Sequence, residues 1–334
     1  MIVTSTYAPL TFLFLAGVLI SSPLRAELVN VAWDNDLFTG TDRGYTNGVR
    51  ISYLTSSAEQ SSGTPASIAR EFRDQLTFLP GIGADSDQHA VSFSFRQLMV
   101  TPDDISRKEP QYNDIPYTGH LSLSSTLWSW NAESITGVGG HIGVVGPESG
   151  AESVQKWVHK VTGSETPRGW DNQLGTDVVG GLQAAHGRKL IQAGQKGEIE
   201  QQVSVVGSTL LSNFRTSAKT GFIWRLGRQL PVNFVPDYGG TSSTIALPGS
   251  LNSTGSSWSV FVGLGVEYVA YSYIEENSGP YEFTEGPFIG QIGLGGAWQW
   301  DKFQAALTLR ATTGEDEQHK DDFSFGTLSV SWVL

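Results

Sequence analysis

Thr327-Leu328-Ser329-Val330-Ser331-Trp332-Val333-Leu334 closes the chain in a two-residue code. Leu328, Val330, Trp332 and Leu334 fall on one face, and Thr327, Ser329 and Ser331 on the other. Successive strand side chains point to opposite faces, so this alternation describes a β-strand with one apolar side and one polar side. A soluble sandwich could use one such strand. The code recurs, however, in segments separated by Gly, Ser, Asn and Asp clusters, near 27–37, 45–54, 88–98, 117–128, 134–145, 175–189, 199–210, 214–226, 257–272, 286–299, 302–313 and 322–334. Transmembrane strands need about 9 to 11 residues, and bacterial outer-membrane barrels close with an even number of them. The expected fold is therefore all-β, a twelve-stranded antiparallel transmembrane β-barrel with apolar side chains toward lipid and polar ones toward the lumen.

Composition agrees with that class and removes others. The chain has 334 residues, a formal net charge of −12, 39 Gly, 10 Trp, 10 Tyr, 16 Phe and no Cys. A mean hydropathy of −0.15 argues against a bundle of membrane helices, and so many glycines suit long helices poorly. The aromatics are numerous enough to form interfacial belts. The acidic balance argues against a nucleic-acid partner, whose phosphates attract Lys and Arg, while anionic partners bridged by divalent cations stay open. Without Cys, neither disulfides nor thiolate metal sites are available.

Residues 1–26 read as an export signal and residues 27–334 as the barrel. An apolar run from Leu10 to Ile20, broken by Ser21-Ser22-Pro23, has the length of a signal core and falls short of the roughly 20 residues that span a bilayer. The expected cut follows Ala26, although no Lys or Arg precedes the run and Leu24 stands where a small residue is usual. If both termini are periplasmic, the connections after the odd-numbered strands are extracellular. Two periplasmic connections are long for that rule. Residues 55–87 carry Ile68, Phe72, Leu76 and Leu79 at helical spacing, which predicts an amphipathic helix below or inside the barrel; residues 228–256, rich in Pro, Gly, Ser and Thr, read as a plain loop.

Polar residues gather at two places on the outer side. Between the first two strands lie Asp34-Asn35-Asp36-Leu37-Phe38 and Asp42-Arg43-Gly44-Tyr45-Thr46-Asn47-Gly48. Asn, Asp, Gly and Thr suit a turn by bonding their own backbone, and they also offer hard oxygen donors. In the connection after the fifth strand, Ser149 followed by Glu152 reads as a capping box that starts a short helix. Val154, Trp157, Val158 and Val161 then form an apolar stripe, and Glu152, Gln155 and His159 share the opposite side. A His on the polar side of a surface helix is ordinarily solvated, so spacing alone does not make His159 catalytic.

These pieces in this order resemble the lipid A 3'-O-deacylase family of Gram-negative outer membranes. The matching stretches are the two just quoted, Thr101-Pro102-Asp103-Asp104-Ile105, Asp114-Ile115-Pro116-Tyr117-Thr118-Gly119, Gly143-Val144-Val145-Gly146-Pro147, Gln155 with Trp157-Val158-His159, and Gly169-Trp170-Asp171-Asn172-Gln173-Leu174. The family pattern usually has Glu at Asp34, Tyr at Gly44 and Ala at Thr118. The resemblance implies a site between the outer rim and a helix of an extracellular loop, with Asn35, Asp36, Thr46 and His159 as catalytic residues, Gln155 and Glu165 supporting them, and Ca²⁺ as cofactor with Asp36 and Asn35 as ligands. It implies lipid A or lipopolysaccharide as substrate, an outer-membrane location and a monomer. An outer-membrane phospholipase is the enzymatic alternative, and a pore or adhesin the non-enzymatic one.

Overall fold

The structure is a computed structural model that describes residues 27–35, 44–55, 64–83, 88–195, 197–230, 255–314, 316 and 323–334. The expected export signal and most of the 228–256 loop lie outside the described residues. All twelve expected strands form: β1 (Leu28–Asn35), β2 (Gly44–Leu54), β3 (Gln88–Thr101), β4 (Thr118–Trp130), β5 (Ser134–Val145), β6 (Asp177–Ala193), β7 (Ile199–Ser212), β8 (Arg215–Arg228), β9 (Ser257–Ser272), β10 (Phe288–Trp300), β11 (Phe303–Thr312) and β12 (Phe323–Val333). Each pairs with its chain neighbours, and the sheet closes where β12 pairs antiparallel with β1, Leu328 opposite Trp33 and Ser331 opposite Asn30. Closure leaves no unpaired edge, the condition for a sheet to stand in lipid.

Alternation now acquires a direction. Arg50, Ser52, Ser92, Ser94, Ser122 and Thr126 are buried on the inner side, while Ile51, Phe93, Leu123 and Ile142 are exposed on the outer side. Inside the wall of β8–β11, Glu267 accepts from Arg215 at 3.2 Å, Lys219 at 3.2 Å and Gln291 at 2.9 Å, and Arg215 also bonds Glu285. Buried charge is tolerable when paired and hydrogen-bonded, and this network meets that condition.

Three α-helices occur among the described residues: α1 (Thr64–Leu76), α2 (Ala151–Thr162) and α3 (Tyr273–Asn277). The second is the expected extracellular-loop helix, and the third had no clear sequence signal. At the end of the barrel away from the termini, Ile115, Leu174, Phe214, Tyr273 and Phe283 from four different connections form one buried cluster with Leu98, Val100, Val145 and Val179. That end matches the extracellular side expected from strand counting. The helix in the connection between β2 and β3 lies neither below nor inside the barrel. Ala69 and Ile82 pack with Val91 and Leu127, residues in register with the outward-facing rows of β3 and β4, so α1 rests against the outside of the wall.

Candidate active site

The local sequence seats α2 on the outer face of the wall. Pro147–Ser149 form a 3-10 turn, and Gly150 enters the left-handed region at φ 69° as the N-cap of α2. The expected capping box is therefore absent. The glycine takes the cap position, Ser149 Oγ accepts only from the Ala151 N–H at 3.4 Å, and Glu152 pairs with Lys156 one turn on. Gln97 on β3 donates its amide to the Ser149 carbonyl at 2.6 Å. Gly119 on β4 lets the helix start approach closely, since a Cβ there would lie 2.6 Å from that of Ala151.

Helix α2 turns its polar side inward. Gln155 and His159 are 0% and 7% exposed, whereas Trp157 and Val161 are 65% and 67% exposed. In a soluble protein the opposite orientation would hold. The apolar stripe is split here: Val154 packs against the buried cluster of Met99, Ile105, Tyr117, Ala151 and Trp170, while Trp157 and Val161 face outward beside Lys156 and Lys160.

His159 has a defined tautomer. Its Nδ1 lies 2.5 Å from the Glu165 carbonyl oxygen, which can only accept, so Nδ1 carries the proton and a neutral ring keeps its lone pair on Nε2. Glu165 thus contributes through its backbone; the resemblance had pointed to the residue without saying how it acts. Gln155 is oriented in the same way. The Trp170 indole N–H, a donor only, bonds Gln155 Oε1 at 2.7 Å, and the amide nitrogen is left buried with no hydrogen-bond partner among the described residues. Trp170 packs with Met99, Ile105, Tyr117 and Ala151, its ring 5.0 Å from that of Tyr117. Burial pushes the Tyr117 phenol up to about 12, which keeps it neutral. Sequence reasoning missed Trp170 as a site residue. A large indole inside a polar loop sequence, needing a partner for its N–H, was the available signal.

Of the other expected residues, Asn35 falls on the same side of the wall. Asn35 ends β1 in the outward row of Trp33, yet it is buried. It pairs with Asn47, which pairs with Met99, so about two interstrand spacings, roughly 10 Å, separate Asn35 from the Met99 cluster beneath α2. Thr46 is the extra residue of a bulge in β2, a device that re-aims side chains, although its own side chain lies outside the described residues. Asp36 also lies outside them. By contrast, His141 and His120 point inward, the first bonded to Ser212 Oγ at 3.0 Å and the second stacked on Phe214 at 4.2 Å. No group of three His, Asp or Glu side chains able to hold a metal occurs among the described residues. The Asn35 amide and the carboxylate of Asp36, next in sequence, supply hard oxygens of the kind Ca²⁺ takes.

Together the closed sheet and the helix-covered polar patch define an outer-membrane barrel whose candidate site lies on the lipid side of its wall. The chain belongs to the family described as outer membrane protein LpxR, whose pattern matches residues 9–334. Among solved structures, LpxR from Salmonella typhimurium is similar with a TM-score of 0.73 at 18% identity, covering 92% of this chain and 100% of that one. The β domain of the Bordetella autotransporter BrkA shares 8% identity with a TM-score of 0.44, covering 92% of this chain and 98% of that one. No curated protein matches the chain. Family membership places the protein in the Gram-negative outer membrane and supports lipid A deacylation there.

Proposed function

We propose that the protein hydrolyses the 3'-linked acyl ester of lipid A in the outer leaflet, with His159 as the general base. The observation that carries this reading is the hydrogen bond from His159 Nδ1 to the Glu165 carbonyl, which leaves Nε2 free to accept a proton. Water bound beside Nε2 gives that nitrogen a proton as its oxygen attacks the ester carbon. The proton then passes to the departing 3' oxygen as the C–O bond breaks, giving a free carboxylic acid and a 3'-hydroxyl. Asn35 and Asp36 would hold Ca²⁺, whose chemistry when bound is to polarise a carbonyl and neutralise an oxyanion. Gln155 offers amide N–H donors one helical turn from His159, and Thr46 binds substrate or water. The same reading takes residues 1–26 as an export signal and the working unit as a monomer.

Mass spectra of lipid A and of phospholipids from cells making each variant test the proposal. His159→Ala, which removes the base, and Asp36→Ala should each abolish loss of the 3' acyl mass; for Asp36 the scale is that of one oxyanion-stabilising group, about 2.7 to 4 kcal/mol in other hydrolases. Combining them should add little, because groups serving one transition state are non-additive. His141→Ala, on the other side of the wall, should retain most activity. Purified enzyme should stop with a chelator and recover with Ca²⁺. Normal deacylation by His159→Ala, or cleavage of phospholipid in place of lipid A, would remove this reading.

A further inference from the structure

Helix α1 and the turn after it present two exposed aromatic rings that the catalytic proposal does not use. The described segment 64–83 packs one side on the wall, burying Val91 of β3 and Leu127 of β4, and the backbone at Gly81, φ +80°, comes so near that a Cβ would meet Thr136 Oγ1 at 2.4 Å. Phe72, at the edge of that packed side, and Phe78 in the following turn are 46% and 76% exposed, while the far side of the helix carries exposed Ser67, Glu71, Asp74 and Gln75. Val91 and Leu127 stand near the ends of their strands on the same side as the chain termini, in the rows that carry the lipid-exposed Phe93 and Leu123 further along. On the opposite wall, the corresponding ends of β8–β11 carry exposed Trp224, Trp258, Trp298, Trp300 and Phe303, a girdle of the kind found at a membrane interface. Beneath α1, the outward side chains at that level, His89, Val91, Leu127, Ser129 and Thr136, are covered.

We infer that α1 with its following turn is an in-plane interfacial element that engages glycerophospholipids of the periplasmic leaflet, Phe72 and Phe78 supplying on the β3–β5 wall the aromatic girdle that the strands supply elsewhere. Continuity decides the occupant. The exposed Phe72 and Phe78 stand over the outward rows whose lipid-facing band begins at Phe93, and aromatic rings at the headgroup boundary are how barrels and surface helices fix their depth. The polar side, with Glu71, Asp74 and Gln75, is left to face the periplasm, the two-sided arrangement of an in-plane surface helix.

The absence of Cys makes the test direct, because a single introduced thiol is the only one to label. Phe72→Cys and Phe78→Cys, each carrying a nitroxide, are reconstituted in phosphatidylethanolamine–phosphatidylglycerol vesicles. Collision with oxygen, which concentrates in bilayers, is compared with collision with a water-soluble nickel chelate. Phe93→Cys is the lipid reference, and Glu133→Cys, on the exposed turn between β4 and β5 at the same end, is the water reference. The oxygen-to-nickel ratio at both α1 positions should lie several-fold above that of Glu133→Cys and near that of Phe93→Cys. Ratios matching Glu133→Cys would overturn the inference, as would labels shielded from both reagents, which would mean that protein covers the helix.

Discussion

At the scale of the residue, two hydrogen bonds to groups of fixed polarity set the chemistry around α2. A carbonyl fixes the His159 tautomer, and an indole fixes which end of the Gln155 amide faces it. The sequence carried His159 and Gln155 as neighbours one turn apart, but spacing did not give either contact, and Glu165 was named only through the resemblance. Glu165 acts through an oxygen that every residue possesses, and Trp170 is 15 positions from Gln155. Trp170→Phe retains an aromatic ring and removes the N–H. It leaves Gln155 Oε1 buried without its donor, a loss of about 1 to 3 kcal/mol. The amide is then free to reverse. Deacylation by the purified variant should fall about tenfold, equivalent to about 1.4 kcal/mol, with substrate affinity little changed. An unaltered rate would show that Gln155 needs no such orientation.

At the scale of the element, α2 depends on how closely the wall admits it. Gly119→Ala puts a methyl group against Ala151 and Ser149. Overpacking of this kind costs about 1 to 3 kcal/mol, and the helix can relieve it by lifting from the wall. The variant should still form a heat-modifiable barrel while losing at least tenfold in lipid A deacylation. Gly207→Ala, whose Cβ would lie 3.5 Å from the Lys219 carbonyl, should keep both properties. A fully active Gly119→Ala enzyme would separate helix seating from catalysis. The two helices also show where sequence reading stops. Periodicity announced both amphipathic segments, 64–76 and 151–162, but it does not say what medium each face meets. The apolar side of α1 packs on the wall through Ala69 and Leu76, whereas α2 buries Gln155 and His159 and exposes Trp157.

At the scale of the whole molecule, strand number, order and sidedness were all legible, because period two with lipid outside leaves a strong imprint on every strand. The tenants of the lumen were less so. Glu267, Arg215 and Lys219 meet across β8 and β9, and nothing in a run such as Gly265-Val266-Glu267-Tyr268 names the partner of its carboxylate. Glu267→Ala leaves two cations without their shared acceptor, a change that costs about 3 to 5 kcal/mol for buried pairs. The temperature at which the folded band converts to the unfolded one on gels should drop clearly. Glu267→Gln should fall in between. Since this network stands on the wall opposite β3 and β4, deacylation at moderate temperature should persist in both variants. Loss of activity with an unchanged conversion temperature would instead give Glu267 a part in turnover.

The outward orientation of Asn35 and of the surface under α2 has a kinetic consequence. A lipid can arrive there by lateral diffusion in its own leaflet, without its acyl chains crossing water or threading a channel. Turnover of such a catalyst is governed by a two-dimensional concentration. In mixed micelles, adding inert detergent at constant total substrate should slow the reaction by surface dilution, whereas adding more micelles of the same composition, once enough are present to hold all the enzyme, should leave the rate unchanged. A rate that followed bulk substrate molarity alone would mean that lipid reaches the site through solvent.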